Sequence, residues 1–367
     1  MRDVLLLRAS SPQAMRSIAG GAGEQAPPQT KKIKMGNNVW HERDVIAAVA
    51  SVFHEHRDIC DLGIGDDCAV LRRAPRYVTT DACVEGVHFD LGLMSMADAA
   101  YRCLTSNISD VAAMGAEPGP FTLALGLPPS VPMSEICLAI GALRDSIAEH
   151  DLASCWLVGG DVVRSDVIFF SVTMWGEAMA WPCVRRDGAR EGDVLLALGG
   201  LGHAAAGLDA LRAGYRADGE LSAGLRRCIR AFLRPRAQVG LAQTLAQKGL
   251  LRAMMDLSDG LMADLPKLLA RSECGGRIEI DALVADEALQ EAALTLGVDP
   301  IDWMLSGGED FSLLVAVLPD HVATIRDLAY GQGVSCHQLG TCCREAGVHW
   351  TRRSEPVIPC DKSFSHF

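Results

Sequence analysis

Six short stretches of the chain place a carboxylate beside a glycine or another small residue: Asp66 and Asp67 in GDD, Asp81 in TTD, Asp110 in NISD, Asp161 in GGD, Asp256 and Asp259 in DLSDG, and Glu309 and Asp310 in GGED. Any one of them fits a turn or a helix cap, where Asp is common beside Gly or Ser. Gathered into one place they would repel, unless cations lay between them. Magnesium uses one or two carboxylates alongside substrate phosphates, so the set points to several Mg²⁺ ions holding a polyphosphate. The glycines suit this, because a backbone without Cβ approaches a phosphate closely. DLSDGL also opens a helix, whose free N–H groups and dipole favour an anion.

The familiar phosphate-binding signatures are missing. The chain has no GxxxxGK[ST], no glycine-rich GxGxxG leading into a helix, and no HRD or DFG triplet, so neither the P-loop nor the protein-kinase apparatus is present. The glycine-rich run at 199–211 reads as a strand turning into a closely packed helix. A phosphoryl-transfer enzyme of another lineage remains.

Composition narrows the setting. With 367 residues, 49% apolar and 22% charged, the chain has room for about two domains with substantial cores. Its net charge of −12 argues against holding nucleic acid by its phosphates. The longest apolar run, VIFFSVTMW, is too short to span a bilayer. The 13 cysteines show no CxxC spacing, and Cys103, Cys137 and Cys155 stand singly in apolar patterns, which indicates a reduced, cytoplasmic setting. Residues 1–34, rich in Gly, Pro, Gln and Lys, read as a mobile extension, with Met35 a candidate start.

The acids need elements to carry them. The pattern predicts a helix over 41–54, a strand over 77–82 that ends at Asp81, and a helix over 97–115 with Leu104, Ile108 and Val111 on one apolar face and Asn107 and Asp110 on another. A strand from FTLALGLP follows, then a helix over 133–149 and two strands, CWLVGGD and VIFFSVTMWGE. Residues 178–192 break the pattern as a junction between halves. Beyond it come a strand (193–198), a helix (203–213), a helix with Pro235 near its first turn, and a strand leading into DLSDGL. A helix to about residue 271, a strand over 277–281 and the strand after GGED complete the reading. The expected fold class is α+β in two domains: a mobile 1–34, an N-terminal domain over 35–178 and a C-terminal α/β domain over 179–367.

GIGDDCAVL, TTDACVEGVHF, NISDVAAMGAEP, GGD, RPR, MDLSDGL and SGGEDFSLL, in that order from about residue 55 onward, closely resemble the thiamine-monophosphate kinase family, within the superfamily named for aminoimidazole ribonucleotide synthetase. GDD and GGD are shared across that superfamily, whereas TTD with VEGVHF, together with SGGED, is far more specific to the kinases. The resemblance implies transfer of the ATP γ-phosphate directly to thiamine monophosphate, giving thiamine diphosphate. It implies a homodimer in which the strands of two N-terminal domains join into a barrel, with ATP between the domains.

By matching motifs, Asp67, Thr79, Thr80, Asp81, Asp110, Asp161, Asp256 and Asp259 would hold Mg²⁺, the threonines through a backbone or side-chain oxygen. Gly160, Asp161, Arg186 and Ser258 would contact ATP, and His88, Glu309 and Phe364 would face the thiamine end. Asp256 and Asp259 would act in catalysis through metal. The acceptor is already an anion, so no general base is assigned. In GGED the glycine pair would let the chain turn tightly and send Glu309 into the pocket, with Asp310 as the other candidate partner of the thiamine cation. Val162 and Val163 depart from the family, which usually has Thr-Thr after GGD; Thr79 stands where Ser is frequent and Phe311 where Tyr is common. Rival readings are selenophosphate synthetase, a hydrogenase-maturation dehydratase, aminoimidazole ribonucleotide synthetase itself, and a nucleotide-binding protein without catalysis. Cys60 precedes GDD without a nearby Lys, and the chain ends SFSHF rather than in Cys, which argues against the first two.

Overall fold

The structure, a computed structural model, describes residues 44, 48, 49, 51, 52, 60–62, 70, 71, 77–177 and 179–360. The GDD acids Asp66 and Asp67, Phe364, and the extension 1–34 lie outside the described residues. Residues 44, 48, 49, 51 and 52 are helical, within the helix expected at 41–54. Two short strands, β1 (Cys60–Leu62) and β2 (Val70–Leu71), pair antiparallel.

A four-stranded sheet follows, formed by β3 (Tyr77–Val84), β4 (Glu117–Leu127), β5 (Leu157–Arg164) and β6 (Phe169–Glu177) in the order β3-β6-β4-β5. Only β4 and β5 run parallel. β3 continues past Asp81 to Val84, with Asp81 paired to Val172 in mid-strand. The YVTTDACV run is β-branched on both sides of that Asp, and the ladder holds it in line.

Helix α1 (Met96–Ala113) packs on this sheet, and helix α2 (Met133–Glu149) packs against α1. A capping box between Ser95 and Asp98 starts α1. α1 was expected to present one apolar face, yet Arg102, Thr105, Asn107 and Ser109 are buried along with Leu104 and Ile108. Arg102 and Ser109 are covered by the other half of the molecule, where they meet Phe232, Glu309 and Asp256, whereas Thr105 bonds Ser146 on α2 and Asn107 bonds the Cys103 carbonyl within α1.

The second half is built on a seven-stranded sheet. In chain order its strands are β7 (Val194–Leu198), β8 (Leu251–Leu257), β9 (Gly275–Glu279), β10 (Ser312–Val317), β11 (Cys336–Cys343), β12 (Gly347–Arg352) and β13 (Glu355–Pro356). Spatially they run β13-β12-β9-β11-β7-β10-β8. Every residue of β7 and β10 is buried, which is why VLLAL and SLLVAV read as unbroken apolar runs. The helices are α3 (His203–Arg212), α4 (Ala223–Leu233), α5 (Val239–Gln247), α6 (Leu261–Arg271), α7 (Glu287–Leu296), α8 (Pro300–Ser306) and α9 (Val322–Gly331). Pro235 lies between α4 and α5, ahead of the helix it was expected to open.

Several bonds join the halves. Trp181 Nε1 donates to the Gly115 carbonyl at 3.0 Å, and Ala237 N–H donates to His150 Nε2 at 2.9 Å. Arg234 pairs with Asp98 at 3.0 Å and stands over the Tyr101 ring. All cysteines with described side chains are free thiols.

Candidate active site

Where α1 meets the second sheet, a cleft of 1270 Å³ opens. The stripe of α1 facing it carries Arg102, Ser106 and Asp110, spaced four residues apart so that they stack on one side of the helix. β3 contributes Asp81 and the loop after it His88, whose Nδ1 accepts from Val84 N–H at 3.2 Å. β8 contributes Asp256, the turn after it Ser258 and Asp259, and the turn before β10 Glu309. These residues come from both halves, so the cleft exists only when the halves are docked.

The acids are short of positive charge. Asp256 is 2% exposed and accepts a hydrogen bond from Ser109 Oγ at 2.8 Å. Burial, with the nearby charge of Asp110, pushes its carboxyl up to about 7, while the Ser109 bond and Arg186 offset part of the rise. Asp110 is pushed up to about 6, first by burial and then by the charge of Asp81. The hydrogen bond from Thr79 Oγ1, at 2.5 Å, and the charge of Arg186 work the other way. Arg186 is exposed, and its charge reaches both acids.

Such a site fits divalent cations. Buried carboxylates that resist ionising together are stabilised by ions placed between them, and hard oxygens are the donors magnesium prefers. Among the described residues no three His, Cys, Asp or Glu side chains stand close enough to hold one ion by themselves.

The DLSDG turn departs from expectation. The N–H groups of Ser258, Asp259 and Gly260 all donate to Asp264 Oδ2, at 2.9, 2.9 and 3.1 Å. The amides expected to receive a ligand anion at the start of α6 already hold the chain's own buried carboxylate. Lys267 Nζ bridges Asp264 at 2.8 Å and Asp259 at 2.5 Å. An acid in the first turn of a helix was the available signal, since it complements the helix dipole.

GGED is also built differently from its expected turn. The left-handed conformations belong to Glu309 (φ 69°) and Phe311 (φ 48°), not to the glycines. A Cβ on Gly307 would lie 2.4 Å from the Trp303 carbonyl oxygen, and one on Gly308 2.5 Å from that of Ser258. The glycines thus serve close backbone approach. Asp310 faces the framework: it accepts from Gly202 N–H at 2.5 Å and Ala204 N–H at 2.8 Å, at the start of α3. Glu309 lines the cleft and pairs with Arg102, a residue that sequence reading missed. Its partner lies 207 positions away, and a lone Arg among apolar residues carries no spacing signal.

The remaining expected residues sit apart. Thr80 lies on the sheet face opposite Thr79 and Asp81, its Oγ1 donating to the Val172 carbonyl at 2.9 Å. Gly160 and Asp161 lie on β5, and the row Asp81, Val172, Leu123, Gly160 crosses the whole sheet. Three strand spacings separate its ends, about 14 Å. Asp161, one residue on, is exposed on the other face with Oδ1 bound to Val162 N–H at 2.9 Å. The single chain therefore does not bring Gly160 and Asp161 to the cleft.

Two family models match: AIR synthase related protein, N-terminal domain, over residues 65–178, and AIR synthase related protein, C-terminal domain, over 190–350. They place the chain in the class of AIR synthase related proteins. Within that class it belongs to the thiamine-monophosphate kinase family, being 35% identical over 316 residues to the thiamine-monophosphate kinase of Salmonella typhimurium, a match covering 84% of this chain and 92% of the relative. Identity to the Haemophilus influenzae thiamine-monophosphate kinase is 31%, over 84% of this chain and 93% of that one. The crystal structure of thiamine-monophosphate kinase from Stenotrophomonas maltophilia superimposes with a TM-score of 0.71 at 33% identity, covering 84% of this chain and 94% of that chain. AaThiL complexed with AMPPCP and TMP gives 0.68 at 29%, covering 79% and 86%. Escherichia coli HypE, a hydrogenase maturation protein, gives 0.69 at 18% over 87% and 96%, a likeness of fold.

Proposed function

We propose that this protein transfers the γ-phosphate of ATP to the phosphate of thiamine monophosphate, giving thiamine diphosphate and ADP. One observation carries the reading: Asp110 and Asp256, brought from opposite halves, meet in one cleft with their ionisation pushed up to about 6 and 7. A site deficient in positive charge at neutral pH suits a nucleotide that arrives with its cations. In the reaction an oxygen of the acceptor phosphate bonds to the γ-phosphorus as the bond to the β–γ bridging oxygen breaks, and ADP leaves. The acceptor oxygen is already anionic, so the site needs in-line positioning and charge neutralisation rather than a base.

Asp67, Thr79, Thr80, Asp81, Asp110, Asp161, Asp256 and Asp259 are the residues proposed to hold magnesium, which would screen the phosphate charges. Ser109 and Thr79 hold the Asp256 and Asp110 carboxylates in fixed orientations. Lys267 does the same for Asp259. Gly160, Asp161, Arg186 and Ser258 remain the proposed nucleotide contacts, and His88, Glu309 and Phe364 the proposed thiamine contacts.

The proposed assembly is a homodimer, in the cytoplasm, with domains at 35–178 and 179–367. The outer face of the four-stranded sheet supports it, since Val78 is 66% and Val163 41% exposed there. A second copy covering that face offers a route by which Gly160 and Asp161 of one subunit approach the acids of the other. No described helix is long and apolar enough to cross a membrane.

The test is incubation of purified protein with ATP, Mg²⁺ and thiamine monophosphate, with thiamine and an aminoimidazole-pathway substrate as controls. Thiamine diphosphate and ADP formed only from the monophosphate support the reading; ATP binding without product removes it. Sedimentation mass at the monomer value would remove the dimer.

A further inference from the structure

We infer that Arg102 is a positioning residue for the acceptor end of the reaction: it fixes Glu309 so that one carboxylate oxygen is presented to the thiamine end of the acceptor. This rests on the functional reading above. Arg102 has 4% of its side chain exposed, although it sits on α1 at the wall of the cleft.

Three contacts hold its guanidinium. Nη1 donates to the Phe232 carbonyl at 2.6 Å, a group in the last turn of α4 that has no partner within its helix. The plane lies over the Phe232 ring, with Cζ 4.1 Å from the ring centre. Nη2 donates to Glu309 Oε1. A guanidinium so clamped has little rotational freedom left, so the carboxylate bound to it inherits its orientation.

Glu309 is constrained from the other side as well. Its N–H donates to the Ser258 carbonyl at 2.7 Å, and its backbone takes the left-handed conformation, a strained arrangement that surrounding contacts must maintain. Its side chain is 39% exposed, against 4% for Arg102, so the carboxylate is the end of the pair that faces the cleft. With Oε1 occupied by Arg102, Oε2 is the oxygen left to accept from a ligand. The pair as a whole is close to neutral. It therefore recognises an acceptor by hydrogen bonding and local charge rather than by attracting every cation, which disfavours bare metal at this end of the cleft. Asp110, which meets Asp256 among the acids that would hold magnesium, stands two turns further along α1 than Arg102, about 12 Å away. Arg102 belongs to the N-terminal family match and Glu309 to the C-terminal one, so the pair also ties acceptor binding to the docking of the two halves.

The test measures calorimetric affinity for thiamine monophosphate and for ATP with Mg²⁺, alongside KM and kcat, on wild type, Arg102→Met, Arg102→Lys, Glu309→Gln and the double variant Arg102→Met/Glu309→Gln. Thermal unfolding verifies that each is folded. Arg102→Met and Glu309→Gln should each weaken thiamine monophosphate about tenfold while ATP affinity stays within about twofold. Arg102→Lys should recover part of the loss, and the double variant should lose no more than the larger single. Equal weakening of both ligands, or losses that add in the double variant, would overturn the inference. If Arg102→Met does not fold, Arg102→Lys and Glu309→Gln decide it by the same selectivity between ligands. A wild type that binds thiamine monophosphate without forming product would remove the functional reading while leaving this comparison decisive; one that does not bind it would remove both.

Discussion

The DLSDG and GGED turns are two solutions to one problem. Each ends a buried stretch of the second half with neighbouring acids, and each divides them between the cleft and the framework. In the first, Asp256 and Asp259 line the cleft while Asp264 gathers three backbone N–H groups. In the second, Glu309 lines the cleft while Asp310 gathers two at the start of α3. The lesson is that a carboxylate's role follows from what meets its oxygens. Amide groups of the same chain make it part of the fold, and an opening toward other carboxylates makes it part of the chemistry.

Exchanging acid for amide separates the two roles. Asp256→Asn should lower kcat by at least about a hundredfold. Thermal stability should hold or rise, because a buried carboxyl that resists ionisation costs the fold nothing when neutralised. Asp264→Ala should show the reverse emphasis. Three amides lose their acceptor in a buried turn and Lys267 loses one of its two, which costs about 3 kcal/mol and lowers the melting midpoint by roughly 4 °C. Calorimetric melting and steady-state assays on the two variants check both. A stable Asp264→Ala with lost turnover would erase the distinction between the turns.

How far the sequence showed this division depends on the range of the signal. α2 is found at 133–149 as read, because Ile136, Ile140, Leu143 and Ile147 keep one period and all are buried. The acids of the cleft were legible as a set because repetition of a motif survives without knowledge of contacts. α4 was left unassigned, although Ser222 caps it and Leu225, Cys228, Ile229, Phe232 and Leu233 repeat at helical spacing. That omission hid Phe232, and with it the platform for Arg102. The partners of Arg102, Ser109 and Asp310 come from distant segments, and local pattern is silent about such pairings. The opposite edges occupied by Asp81 and Asp161 were hidden for a related reason: strand order is set by the crossovers rather than by the strands. Asp264 was the local exception, legible as an acid in a first helical turn.

The smallest expected effect comes from acidity at Asp310. Burial raises its carboxyl to about 6, even though the amides of Ala204 and Gly202 and the charge of His203 pull it down. The folded chain therefore holds this proton more tightly than the unfolded chain, where the ordinary value is 3.8. The stabilising contribution is complete below about pH 4 and is lost as pH rises through about 6. Asp310→Asn has no such proton. The stability of wild type relative to that variant should accordingly fall by about 2 kcal/mol between pH 4 and 7. Urea unfolding of both proteins across that range measures the difference. A flat difference would mean that the two amide bonds hold Asp310 ionised throughout, making the framework carboxylate of GGED a stronger cap than its burial allows.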